Sequence, residues 1–84
     1  MWQKYKDLDR DSSISMYQIN DTSILVMFKD SSVYCYSYNS AGRVHVEQMK
    51  KLANYGDGLC SYIHVNNVRY EWKESNGIRK YVNY

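Results

Sequence analysis

Residues 11–38, DSSISMYQINDTSILVMFKDSSVYCYSY, decide how this chain folds. They hold three short runs of strand composition separated by polar turns. Ser13–Ile19 is the first, closed by the turn-prone Asn20-Asp21-Thr22-Ser23. Ile24–Phe28 is apolar throughout, the pattern of a central strand buried on both faces. Lys29-Asp30-Ser31-Ser32 turns the chain into Val33–Tyr38, where Tyr34, Tyr36 and Tyr38 share one parity. Three such strands in succession predict a β-meander.

Downstream, Asn39-Ser40-Ala41-Gly42 breaks the strand pattern and the period changes. Val46, Met49, Leu52 and Ala53 fall at i, i+3, i+6 and i+7, one stripe of an amphipathic helix flanked by Lys50 and Lys51. Gly56 is placed to end that helix in the left-handed conformation. Leu59, Cys60 and Ile63 form the apolar face of a second, short helix, with His64 beside it. From Val68 the period drops to two, with Val68, Tyr70 and Trp72 alternating with Arg69, Glu71 and Lys73. Asn76-Gly77 is a strong two-residue hairpin signal, because a type I′ turn needs positive φ at both positions. Folding there sets Glu74 against Arg79 and Trp72 against Tyr81, an ion pair and an aromatic pair. The expected architecture is α+β: a three-stranded antiparallel meander, one amphipathic helix, a short helix and a C-terminal β-hairpin.

With 84 residues there is room for one domain, preceded by a polar lead-in, residues 1–11, that is a candidate edge strand. A chain this small buries only about 60% of its unfolded surface, so the core is modest. Ten tyrosines and two tryptophans accompany a single phenylalanine. The plain reading is a thin core that borrows Tyr bodies and leaves the hydroxyls wet; the functional one is a binding surface. The formal charge of +2 argues against a protein built mainly to coat nucleic acid. It is unevenly spread: residues 1–42 carry four Lys/Arg and five Asp/Glu, residues 43–84 seven and four. Cys35 and Cys60 stand apart, with no CxxC and no His at ligand spacing, and read as small hydrophobes in a reducing compartment. No apolar leader and no run of roughly 20 apolar residues is present, so a cytoplasmic protein without membrane contact is expected.

The ordered set of motifs resembles the KTSC domain family, small domains named after an appendage to some bacterial lysyl-tRNA synthetases and also found free-standing in bacteria and phages. The matching residues are Asp11-Ser12-Ser13, then Ile24-x-Val26-x-Phe28 and Val33-Tyr34-Cys35-Tyr36. Met49-Lys50-Lys51-Leu52-Ala53 follows, then Gly56 or Gly58, Ile63 and Tyr70. The resemblance spans roughly residues 11–72 and implies one KTSC-like domain over 12–84, with 77–84 as an extension. Ser31 stands where the family usually has Gly, and the Gly-Tyr-Asp end of its first strand is not reproduced. The resemblance implies a fold and an association with RNA metabolism, and no catalytic residues.

The register of the second turn leaves two outcomes open. A two-residue turn pairs Phe28 with Val33 and puts the tyrosines on the face opposite Ile24 and Val26. A longer or bulged turn brings Tyr34 and Tyr36 into the core, because a one-residue slip flips every side chain. The family's recurrent Tyr pair favours the second.

Catalysis finds no support in the motifs. Ser12, Ser13, His45 and His64 are the reactive residue types, and no G-x-S-x-G elbow or glycine-rich phosphate loop links them. Two separated His and two separated Cys fall short of a structural metal site, and no cofactor is implied. A non-catalytic binding module for a phosphate-bearing ligand, RNA or nucleotide, is the first expectation. Tyr36 and Tyr38 would stack, with Arg43, His45, Lys50, Lys51 and Arg79 as its cationic partners; the plain alternative is solvated charge around a Tyr-built core. The competing reading is a protein-interaction module, such as a phage counter-defence protein that inhibits a host factor or sequesters a signalling nucleotide. Its interface would be Tyr70, Trp72 and Tyr81 on one hairpin face, with homo-oligomerisation as a companion expectation.

Overall fold

The computed structural model describes residues 1–10 and 12–82. Asp11, first residue of the family-like opening, and residues 83–84 of the C-terminal extension lie outside the described residues. Strands β1 (Gln3–Lys4), β2 (Ile14–Ile19), β3 (Ser23–Phe28) and β4 (Val33–Ser37) come first. Then follow α1 (Tyr38–Ala41), a single turn, α2 (Arg43–Tyr55) and α3 (Leu59–Val65), and finally β5 (Trp72–Ser75) and β6 (Ile78–Tyr81). The strands form one antiparallel sheet in chain order, β1 to β6. The fold is therefore α+β, meander then helices then hairpin. The lead-in supplies the edge strand β1, which pairs Gln3 with Tyr17, and it buries Tyr5 in the core, where the phenol oxygen accepts the Leu59 N–H at 3.3 Å.

Helices cover one face of the sheet. Val46, Met49 and Ala53 of α2, with Leu59 and Ile63 of α3, pack on Ile14, Tyr17, Ile24, Val26 and Tyr36. The α2 stripe is the one its 3.6-residue period dictates. The other sheet face carries a smaller cluster, Val33, Cys35 and Trp72, bordered by half-buried Trp2, Leu25 and Met27. β3 is thus buried deeply on the helix side, with Ile24 and Val26 at 0% exposure, and only partly on the other.

Two irregularities set the register. Val26 faces Tyr34 and Met27 faces Val33, so residues 29–31 form a three-residue turn. Ser31 sits at φ 72°, the left-handed position of a bulge-closed turn. The tyrosines Tyr34 and Tyr36 accordingly share the core face with Ile24 and Val26. In β2 a bulge at Ser15 shifts the register between Ile14 and Met16, so Ile14 and Tyr17 both point to the core.

Two expectations need correction. β4 stops at Ser37, which caps α1: its hydroxyl accepts the Ser40 N–H at 3.1 Å while the Ser40 hydroxyl accepts the Ser37 N–H at 3.1 Å. Tyr38 therefore leaves the Tyr34/Tyr36 stripe. The alternation from Val68 is not a strand until Trp72. The chain bends at Glu71, whose N–H donates to the Cys35 carbonyl at 2.7 Å and whose carboxylate accepts from the Ser37 hydroxyl at 2.8 Å. That bend separates Tyr70 from Trp72.

The hairpin follows its local code. Asn76 and Gly77 lie at φ 55° and 77°, and the register sets Trp72 opposite Tyr81, Lys73 opposite Lys80 and Glu74 opposite Arg79.

Candidate functional site

The residues expected to hold a phosphate-bearing ligand divide among three places. Tyr38, Arg43 and Lys50 do come together at the α1–α2 corner, where the Arg43 guanidinium and Lys50 ammonium lie 5.9 and 5.8 Å from the Tyr38 ring centre. Glu47, which the sequence reading passed over, sits among them. It accepts the Tyr38 hydroxyl at 2.7 Å and pairs with Lys50 Nζ at 2.8 Å. Lys50 also donates to the Asp21 carbonyl at 3.0 Å. The Lys50 and Tyr38 contacts hold the Glu47 carboxyl below its usual range, and donation to Glu47 raises the Tyr38 phenol. Two cations thus surround one carboxylate, and Glu47 offsets only part of the corner's charge.

His45 is occupied elsewhere, its Nδ1 lying 2.7 Å from the Tyr62 hydroxyl. Lys51 is exposed on α2. Arg79 stands on the sheet face away from the helices, 3.8 Å from the Trp72 ring centre and 3.1 Å from Glu74 Oε1. Tyr36, at 2% exposure, is core.

The expected partner face is also split. Tyr70 packs edge-on against Tyr34 at 4.8 Å, on the helix side of the sheet. Trp72 belongs to the opposite face, and Tyr81 is exposed beside it.

A cleft that the sequence reading did not assemble lies between the β3–β4 turn and α3. It encloses about 410 Å³. Phe28, Tyr34, Tyr36 and Ile63 supply an aromatic-rich lining, and Ser13, Lys29, Asp30, Ser32 and His64 its polar rim. The turn builds the rim. Asp30 accepts the Ser32 N–H at 2.9 Å and the Ser32 hydroxyl at 2.6 Å, an Asx turn. Those bonds, the hydroxyl first, hold the Asp30 carboxyl below its usual range. Phe28 and Tyr34 meet edge to face at 5.2 Å, and Lys73 Nζ reaches to 5.3 Å from the Tyr34 ring centre. The adjacent Tyr34 hydroxyl holds the Lys73 ammonium above its usual range. Lys29 extends from the turn with its side chain 59% exposed, 3.7 Å from Asp7. The signal for this cleft was present only as single residues, because its walls come from positions far apart in the chain.

The two cysteines differ. Cys35 is buried, and burial pushes its thiol up to about 11. Cys60, expected to lack a histidine at ligand spacing, has His64 one helical turn away with Nδ1 3.7 Å from its sulfur. The i, i+4 spacing was legible once α3 was drawn as a helix.

No family model, no curated protein and no solved structure matches the chain. Fold and site together define a class: a small α+β protein with a six-stranded antiparallel sheet, helices on one face and an aromatic cleft at the turn end of that face. No helix among the described residues is long and apolar enough to cross a membrane.

Proposed function

We propose that the protein is a non-catalytic binding module for a phosphate-bearing ligand of nucleotide size, seated in the cleft between the β3–β4 turn and α3. The observation that carries this reading is the cleft's make-up: aromatic walls, Lys29 and Asp30 at the rim and Lys73 beside the Tyr34 ring, within the roughly 300–1,000 Å³ range of small-molecule sites. A base packs against Tyr34 and Phe28, a contact of about 1–3 kcal/mol when a base stacks on an aromatic ring. Lys29 and Lys73 attract the phosphate, and Asp30 and Ser13 accept or donate to sugar and base edges. The motifs that resemble KTSC domains add an RNA context to the same reading.

Chemical-shift titration with the four nucleoside monophosphates and with short homopolymeric RNAs tests it. Binding is expected to perturb the amides of residues 28–34 and 63–64, to weaken with salt, and to fall with Lys29→Ala or Tyr34→Leu. A monophosphate that binds as well as an RNA strand identifies a free nucleotide. Saturating titrations that leave those amides unmoved refute the reading.

The uncovered sheet face favours a second reading, association of two copies. It presents half-buried Trp2, Leu25 and Met27 around Trp72, an apolar patch that a two-fold contact would cover. A monomeric mass at tens of micromolar would count against it.

A further inference from the structure

One row of residues crosses the helix side of the sheet from β3 to the β6 edge. Val26 faces Tyr34, Tyr34 faces Lys73 and Lys73 faces Lys80. Residues directly opposite in an antiparallel pair point to the same face, with Cβ atoms about 4.5–5.5 Å apart. The row therefore runs from the core, through the aromatic cleft, to two lysines side by side. Lys73 belongs to both ends of it. Its ammonium lies 5.3 Å from the Tyr34 ring centre, and with Lys80, Ser75, Asn76 and Ile78 it lines a hollow of about 300 Å³ on the hairpin.

Like charges directly opposite each other destabilise a strand pair. Two neighbouring carboxylates are committed elsewhere. Glu74 follows Lys73 in the strand and so points to the other face, where it accepts from Arg79 Nε at 3.1 Å. Asp30 attracts Lys73 from the cleft rim but places its hydrogen bonds on the Ser32 N–H and hydroxyl. Two ammonium groups, which can only donate, thus share one exposed hollow with the Ser75 hydroxyl and the Asn76 amide. An anion held between the lysines would turn their repulsion into attraction.

We propose that the hairpin hollow is a second phosphate site, and that the ligand is a single-stranded RNA with one base in the cleft and a neighbouring phosphate between Lys73 and Lys80. This inference rests on the nucleotide reading of the cleft and deepens it, since Lys29 at the cleft rim and the lysine pair on the hairpin call for two phosphates. A ring and cations in line along an open sheet suit a strand, because a base stacks on the ring while the backbone tracks the charges. β6 is exposed along its whole length, which leaves the strand room to run off the sheet edge.

The test compares adenosine monophosphate, adenosine triphosphate and hexa-adenylate RNA on the full chain by chemical-shift titration. The monophosphate is expected to shift the cleft amides, 28–34 and 63–64, alone. The hexamer is expected to shift these and residues 73–80, and to bind about tenfold more tightly at low salt. Lys80→Glu is the decisive variant. It replaces a like-charge pair with an opposite-charge one against Lys73, so the hairpin is kept or strengthened while the phosphate site is lost. Hexamer affinity is expected to fall about tenfold, with monophosphate affinity changed by less than about twofold. Lys80→Ala should cost about threefold and lower the salt slope by about 1, and it decides alone should Lys80→Glu lower the urea midpoint. A hexamer that binds no tighter than the monophosphate, or that ignores both variants, overturns the strand and leaves the cleft reading standing; the lysines would then guard the sheet edge against pairing. Adenosine triphosphate that matches the hexamer in affinity and in Lys80 dependence also overturns it, in favour of a nucleoside polyphosphate. Hexamer shifts confined to residues 73–80 would refute the cleft reading and keep the hairpin as the phosphate site. Titrations that move neither set of amides refute both.

Discussion

Val26 stands opposite Tyr34 across the β3–β4 pair, and that relationship places the aromatic cleft on the helix side of the sheet. It depends on a three-residue turn whose last position, Ser31, takes φ 72°. A residue with a Cβ is strained there by about 1–2 kcal/mol, and glycine is not, though glycine gives back about 0.5–1 kcal/mol in unfolded-chain entropy. Ser31→Gly is therefore expected to stabilise the protein by about 0.5–1 kcal/mol, raising Tm by several degrees in a domain of this size. Thermal and urea unfolding measure it. Unchanged or lowered stability would mean that the strain at Ser31 does not exceed the unfolded-chain entropy that glycine gives back.

Gly56 and Lys6 make the closest approach of a glycine to another residue in the fold. At Gly56, φ is 91°, and a Cβ built on it would lie 2.5 Å from Lys6 Cβ. The Leu8 N–H also donates to the Gly56 carbonyl at 2.9 Å, which holds the lead-in against the end of α2. Gly56→Ala should cost about 2 kcal/mol or more, combining the left-handed penalty with a clash that moving a side-chain tip cannot relieve. Gly77→Ala, with φ 77° and nothing within 4 Å, should cost only the first part, about 1 kcal/mol. In a Lys6→Gly background the Gly56→Ala penalty should shrink, and a double-mutant cycle by urea unfolding measures the coupling. Equal penalties at Gly56 and Gly77 would show that the Lys6 contact yields freely.

What could be read from the sequence was local chemistry. Gly56 ends α2 and Asn76-Gly77 turns the hairpin because backbone conformation there is decided by residue type alone, and Glu74 meets Arg79 because the turn fixes the register. The stripe of Val46, Met49 and Ala53 follows from period. The Ser15 bulge was not legible, since the same residues also read as a regular strand. Tyr38 continued the tyrosine alternation until Ser37 and Ser40 capped each other and turned it into a helix. Tyr70 and Trp72 share a parity that only the Glu71 bend, held by groups on β4, undoes. The cleft needs tertiary contacts between residues 13, 28–36 and 63–64, which no short window of sequence contains.

The corner of Tyr38, Glu47 and Lys50 predicts a pH dependence of stability at both ends. The Glu47 carboxyl is lowered in the fold, by the Lys50 contact first and Tyr38 second. Its contribution is complete above the unfolded value of about 4.3 and is lost as pH falls through the lower folded value. The Tyr38 phenol is raised, chiefly by donating to Glu47. Its contribution is complete below about 10 and is lost as pH rises through the higher folded value. Glu47→Gln should therefore reduce the loss of stability on acidification, leaving the share that Asp30 contributes, and should also soften the alkaline limb. Urea midpoints across the pH range, compared between wild type and variant, measure both. Parallel curves would mean that water screens the corner completely.

On the uncovered face, Arg79 combines two roles that a lysine cannot both fill. Its guanidinium lies 3.8 Å from the Trp72 ring centre while Nε bonds Glu74 Oε1 at 3.1 Å. A planar guanidinium can stack and donate sideways at once, whereas an ammonium is a compact, strongly hydrated point charge. Arg79→Lys keeps the charge opposite Glu74 and loses the stack. It is expected to weaken the near-ultraviolet circular dichroism of Trp72 and to speed amide exchange in β6, with the rest of the sheet unchanged. Glu74→Gln removes the ion pair and keeps the stack, so its tryptophan signal should stay near wild type. If both variants lose the Trp72 signal equally, the ion pair rather than the stack orders the hairpin. If neither does, the turn at Asn76-Gly77 holds it unaided.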